Sequence, residues 1–161
     1  MSEESEGEVV PHVLIVEARY YEDVADELLK GAVAALDAAG VPYDKVSVPG
    51  AFELPAAIRY AIKSREFNPV RRRFDGYIAL GCVIRGETAH FDYVCQECAR
   101  GIQELINGYT LAVGFGVLTV DDHKQAMERA SIKKRNKGGE AANTCLKMIA
   151  LKRQFRLFPR A

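Results

Sequence analysis

The chain lacks tryptophan, holds only three histidines, and carries no net charge, its 22 Lys+Arg balancing 22 Asp+Glu. A general binder of nucleic acid or of anionic membranes carries a basic excess, so neither partner is expected. No apolar run approaches the roughly 20 residues that span a bilayer. The opening MSEESEGEVV is acidic and has neither the basic residues nor the apolar core of a secretory signal. The expectation is a cytoplasmic protein with a flexible segment over residues 1–10 and a single domain over 11–161. Cysteine is sparse as well: Cys82, Cys95, Cys98 and Cys145. A cytoplasmic chain of this size needs no disulfide. Cys95 and Cys98 have the spacing of a redox or metal pair. They fall inside a helical pattern, though, and no second pair or matching histidine completes four ligands. No metal is therefore expected, and both are read as small, partly buried helix residues.

What is present is hydrophobic patterning, with 48% of the 161 residues apolar, enough for one sizeable core. His12-Val13-Leu14-Ile15-Val16-Glu17-Ala18 is a near-continuous run, the mark of a strand buried on both faces. Val24, Leu28, Leu29, Ala32, Val33 and Leu36 then recur at helical spacing, and Gly40 stops that helix. A second strand covers 42–48 and a turn covers Pro49 to Glu53. A helix begins at Leu54, with a polar connection expected over 64–74 that contains Arg71-Arg72-Arg73. The third strand spans 76–83. A helix follows from His90 to Asn107, ended by Gly108. The fourth strand spans 111–119, opened by Gly114 and Gly116. A short helix capped by Asp121 and a last helix after the basic turn 133–139 complete the pattern. Alternating strands and helices joined by right-handed crossovers give a flavodoxin-like α/β fold. This is a three-layer α/β/α sandwich on a four-stranded parallel sheet of order 2-1-3-4.

In such a sheet every strand ends at one edge, and ligands bind there. The chemistry-bearing residues gather at those strand ends. Gly81 to Asp92 is a strand, a Gly-bounded turn and a helix start, a place rich in backbone N–H groups suited to an anion. Gly86-Glu87-Thr88 offers a phosphate cradle, with Thr88 also an ordinary helix cap. His90, in the first turn, is placed to give or take a proton. Tyr20, Phe52 and Phe115 are aromatics suited to a flat heterocycle, or simply core filling. Phe115 joins this edge only if the fourth strand bends at its glycines. Glu53 suits sugar-like hydroxyls, or the positive end of the helix it precedes. The three arginines at 71–73 are read as a solvated face rather than a ligand grip.

Four segments are more specific. Pro49-Gly50-Ala51-Phe52-Glu53-Leu54-Pro55, Gly81-Cys82-Val83-Ile84-Arg85-Gly86-Glu87-Thr88-Ala89-His90-Phe91-Asp92-Tyr93-Val94, Phe115-Gly116-Val117-Leu118-Thr119 and Lys137-Gly138-Gly139-Glu140-Ala141-Ala142 occur in this order. Together they resemble the lumazine synthase family over about residues 12–151. The resemblance implies condensation of 5-amino-6-(D-ribitylamino)uracil with 3,4-dihydroxy-2-butanone 4-phosphate. The product is 6,7-dimethyl-8-ribityllumazine, with release of phosphate and water, the penultimate step of riboflavin biosynthesis. It implies no cofactor and two small-molecule substrates as partners. Carried over by residue, Tyr20 stacks on the pyrimidine, where the family usually has Phe. Ala51, Phe52 and Glu53 hold the ribityl chain, and Cys82, Val83 and Ile84 meet the pyrimidine through backbone groups. Glu87 and Thr88 hold phosphate, and His90 transfers the proton. Phe115 and Arg129 complete the site from an adjacent subunit, with Lys137 nearby. The resemblance also implies a homopentamer, in some members assembled into a shell. The turn Ser131 to Asn136 has no glycine and added positive charge, unlike that of shell formers, so an isolated pentamer is expected. The rival expectation is a homologue that binds flavin or lumazine, or builds a shell, without turnover.

Overall fold

The computed structural model describes residues 9–70 and 73–158. Its elements are β1 (Val13–Ala18), α1 (Glu22–Ala38), β2 (Tyr43–Val48), a 3-10 turn (Ala51–Glu53), α2 (Leu54–Phe67), β3 (Gly76–Ile84), α3 (His90–Tyr109), β4 (Val113–Val120), α4 (His123–Ala130) and α5 (Lys137–Gln154). The four strands form one sheet of order β2-β1-β3-β4, every neighbouring pair parallel. This is the expected flavodoxin-like α/β arrangement. Side chains alternate across a strand, so β1 divides its apolar run between two cores. Val13 and Ile15 pack with Leu28 of α1, Ala126 of α4 and Cys145 of α5. Leu14, Val16 and Ala18 pack with Ile58 of α2 and Cys98 of α3. None of the described helices is long and apolar enough to cross a membrane.

Several expected boundaries shift. α2 continues through Ser64 to Phe67, so the expected connection over 64–74 is shorter. Lys63 pairs with Glu66 there, and the Ser64 hydroxyl donates to the Ala61 carbonyl, folding polar residues into the helix. Arg71 and Arg72 lie outside the described residues, as do residues 1–8 of the expected flexible segment. Val9 is described, and its carbonyl accepts a hydrogen bond from Arg153 at 3.0 Å. α3 runs past Asn107 and Gly108, and the left-handed residue that closes it is Thr110, φ 58°. Gly40, φ 67°, ends α1 as expected. Asp122, not Asp121, caps α4 by accepting from the Gln125 N–H at 2.8 Å. Glu17 is the exception within β1's run. It is a buried carboxylate, held by Arg19 at 3.1 Å and accepting from the Ser47 hydroxyl at 3.2 Å.

β4 is an unbroken strand, and its glycines do not bend it toward the ligand edge. Phe115 pairs in register with Ala79, in mid-strand, and is 44% exposed. Gly114 serves a different purpose: a Cβ there would run into the Ala141 carbonyl, so its absence lets α5 lie close against the strand. A Gly114→Ala variant should lose about 1–3 kcal/mol of stability, the usual cost of forcing extra volume into a packed contact. Denaturant unfolding at fixed protein concentration measures it. An unchanged midpoint would show that α5 can move away freely.

Candidate functional site

The C-terminal ends of β1, β2 and β3 surround a cleft of about 540 Å³. One wall is Tyr20, just beyond β1, with Tyr21 set edge-on to it at 4.9 Å between ring centres. Beneath lie Ala51, Phe52 and Glu53 of the 3-10 turn. Their backbone is tightened by the Glu53 N–H donating to the Gly50 carbonyl at 3.1 Å. The floor is the end of β3, with Cys82, Val83 and Ile84. Thr88 and His90 close the far side. These nine expected residues therefore come together around it, on three consecutive sheet-edge connections. Glu87 is exposed at the same turn, but its side chain does not line the cleft.

Backbone geometry makes the turn suitable for an anion. The first N–H groups of a helix have no partner within it, and the helix dipole places partial positive charge there. The Thr88 hydroxyl oxygen accepts from the His90 N–H at 3.3 Å, which leaves the hydroxyl proton to donate outward. No side chain of residue Ala89, the helix cap, competes for that place.

Tyr20 is 74% exposed, Phe52 57% and Tyr93 67%, an apolar aromatic rim facing outward. Phe115, Arg129 and Lys137 are not in this cleft. They share a second one of about 440 Å³ where β4, α4 and α5 meet, with Gln103 and Thr144 on its walls. Arg129 donates to the Gln125 carbonyl at 3.1 Å, and Lys137 pairs with Glu140 at 2.8 Å. The expected residues therefore fall into two groups on two surfaces of one chain. Sequence reasoning missed Tyr21, Phe91, Tyr93 and Val94 in the first cleft. Nothing in the helical pattern from His90 says that the first turn of α3 leans over the strand end.

The sequence model of a family described as 6,7-dimethyl-8-ribityllumazine synthase matches residues 11–153. A protein of Bartonella tribocorum named 6,7-dimethyl-8-ribityllumazine synthase is 54% identical over 145 residues, covering 90% of this chain and 92% of its own. One of Paramagnetospirillum magneticum with the same name is 49% identical over 145 residues, covering 90% and 97%. One of Rhizobium meliloti, 6,7-dimethyl-8-ribityllumazine synthase 1, is 51% identical over 143 residues, covering 89% and 92%.

Burial pushes the Cys82 thiol from its ordinary 9.0 up to about 12, with the nearby Asp23 carboxylate adding to the effect. Cys98 is likewise pushed up to about 12 by burial and by Cys95. Both are neutral thiols at physiological pH, which suits backbone contact and walls rather than nucleophilic attack. Because the folded chain holds these protons more tightly, their contribution to stability is fully present below pH 9 and is lost as pH climbs toward about 12. Alkylation of Cys82 and Cys98 by iodoacetamide should therefore be slow at pH 8 and accelerate only with denaturant. Rapid labelling of the native protein at pH 8 would show thiolates that the burial argument excludes.

Proposed function

The chain belongs to the 6,7-dimethyl-8-ribityllumazine synthase family, and from that premise we propose how its two clefts make one catalytic site. The protein condenses 5-amino-6-(D-ribitylamino)uracil with 3,4-dihydroxy-2-butanone 4-phosphate. The amine attacks the ketone carbonyl to give a Schiff base with loss of water. Phosphate is eliminated, and ring closure with loss of a second water yields the lumazine. Such chemistry depends on holding two substrates in contact, binding a phosphate and moving protons, with no covalent enzyme nucleophile.

The geometry supports the following roles. Tyr20 covers one face of the pyrimidine, and the backbone at Cys82, Val83 and Ile84 reads its edge. Ala51, Phe52 and Glu53 hold the ribityl chain, Glu53 accepting from its hydroxyls. The turn Glu87-Thr88 holds the phosphate, and His90 takes and returns protons between the two substrates. Phe115 and Arg129 reach the same substrates from a neighbouring copy, Phe115 at the ring system and Arg129 on the phosphate, with Lys137 beside them. The observation that carries this reading is the separation of the expected residues into two incomplete clefts, one of them rimmed by exposed aromatics. A head-to-tail interface joins unlike surfaces and closes into a ring when the rotation allows. We take the assembly as a cytoplasmic homopentamer, built from one domain over residues 11–161. The turn before α5 supports a ring without a shell: Lys133, Lys134 and Arg135 are exposed together there, and such charge crowded on a symmetry axis would repel.

Mixing the two substrates with the protein and following lumazine absorbance tests the activity, and no rate above the uncatalysed condensation would sink it. His90→Ala should slow turnover by about ten- to a hundredfold without abolishing it, because positioning carries much of the acceleration. Arg129→Ala should raise the KM of the phosphate substrate by about ten- to a hundredfold, the worth of a charge-assisted hydrogen bond. Co-assembling these two variants should recover turnover, because random mixing in a ring pairs an intact first cleft with an intact second cleft at roughly a quarter of the interfaces. If the mixture is no more active than the average of its parts, the shared site is wrong. Native mass measurement reads pentamer against shell.

A further inference from the structure

Arg85 opens the phosphate turn, yet its side chain does not line the cleft that the turn lines. Its guanidinium lies 4.3 Å from the centre of the Phe91 ring, and Phe91 itself lines the cleft. Its NH1 is 3.5 Å from Asp92 Oδ1, in the first turn of α3, and its Nε is 3.2 Å from Asp121 Oδ1, at the end of β4. Its backbone N–H donates to the Val120 carbonyl at 2.9 Å, the last rung between β3 and the strand end beside it. One side chain thus fastens both ends of the turn that carries Glu87, Thr88 and His90.

The contacts do not stop at Asp121. The Asp121 N–H donates to Gln125 Oε1 at 2.8 Å, and the Gln125 carbonyl accepts from Arg129 at 3.1 Å. The path Arg85–Asp121–Gln125–Arg129 is continuous, and it runs from the phosphate turn of the first cleft to the cation of the second. We propose that Arg85 is a positioning residue that sets the phosphate turn and, through Asp121, the placement of Arg129 on α4. The proposal rests on the lumazine synthase reading above. In a ring, those two phosphate groups serve two different sites, so Arg85 fixes the spacing between one site and the next.

The chemistry of the side chain fits this use. Isolated exposed ion pairs contribute little, and Arg85 is about half exposed. What distinguishes it is simultaneous contact with a ring face and two carboxylates. A planar guanidinium allows this, and a single ammonium does not. Removing it loosens the turn without deleting any group that touches substrate.

The test is a set of variants, Arg85→Gln, Arg85→Lys, Asp121→Asn and the Arg85→Gln/Asp121→Asn double variant. Each is assayed for both KM values, kcat and inhibition by inorganic phosphate. Arg85→Gln should raise the KM of the phosphate substrate, and weaken inorganic phosphate inhibition, by about three- to tenfold, while the pyrimidine KM stays within about twofold. Asp121→Asn, an exposed change that touches neither cleft, should produce part of the same effect. The double variant should be little worse than Arg85→Gln alone, because the two residues act through one contact. Arg85→Lys should recover part of the loss. A loss of melting temperature without the KM split, a parallel rise in both KM values, or full additivity in the double variant would each overturn the proposal. If the wild-type chain forms no lumazine, the functional reading fails and takes this inference with it. If it does and the Arg85 variants match it, only the inference fails.

Discussion

Everything in this molecule depends on the pairing of β1 with β3 at the centre of the sheet. The rungs run from Val13 beside Gly76 to Glu17 beside Leu80, and both strands are buried on both faces. Strands so enclosed must be covered by helices above and below, and that requires crossover connections, which make the sheet parallel. A parallel sheet then sends every strand's C-terminal end to one edge. The three connections that leave β1, β2 and β3 at that edge are the ones that build the first cleft. Burial of an apolar run therefore leads, by geometry alone, to the place where chemistry can occur.

The same constraint explains why the expected residues fall on two surfaces. β4 is an edge strand with α5 pressed against one face, through the absence of a Cβ at Gly114. Its other face turns Phe115 outward in mid-strand, where it cannot reach the C-terminal edge of its own chain. Arg129 and Lys137 follow it, because α4 and the start of α5 leave from that side. In the proposed head-to-tail ring, this exposed aromatic and its two neighbouring cations cover another copy's open cleft. The aromatic rim of Tyr20, Phe52 and Tyr93 is the surface it would meet in that proposed ring.

The fold was legible in the sequence to the extent that period and punctuation are unambiguous. Val13 to Ala18 is apolar at nearly every position, and Val24, Leu28, Ala32 and Leu36 keep one helical face, so strand order and layer count followed. What failed was local. Gly108 looked like a helix stop, yet Thr110 makes the left-handed turn, because the chain needs a further half-turn before β4 can begin. Ser64 to Phe67 looked like a loop because they are polar, yet i,i+3 pairing keeps them helical. Glu17 was hidden in its run, since nothing local says that Arg19 and Ser47 will meet it. At the site, Tyr20, Glu53, Thr88 and His90 were legible as strand-end residues. Phe115 was expected at this edge of its own chain only if its neighbouring glycines bent the strand; they answer instead to a helix more than twenty residues later.

Glu17 and Arg19 show how the rigid side of the cleft is kept. A buried carboxylate alone would favour opening of the strand end, but Arg19 meets it and also pairs with Glu22 and Asp26 on α1. Burial by itself would lower the Arg19 pKa, yet Asp26, Glu22 and Glu17 together hold it above its ordinary value, so the cation stays charged throughout the working range. This network lies immediately before Tyr20 and ties β1, β2 through Ser47, and the start of α1 into one unit. The ring of Tyr20 is therefore mounted on a fixed base while its face remains open. Chemistry that relies on holding two substrates together gains from such bases, because an error of an ångström in either support can cost about a hundredfold in rate.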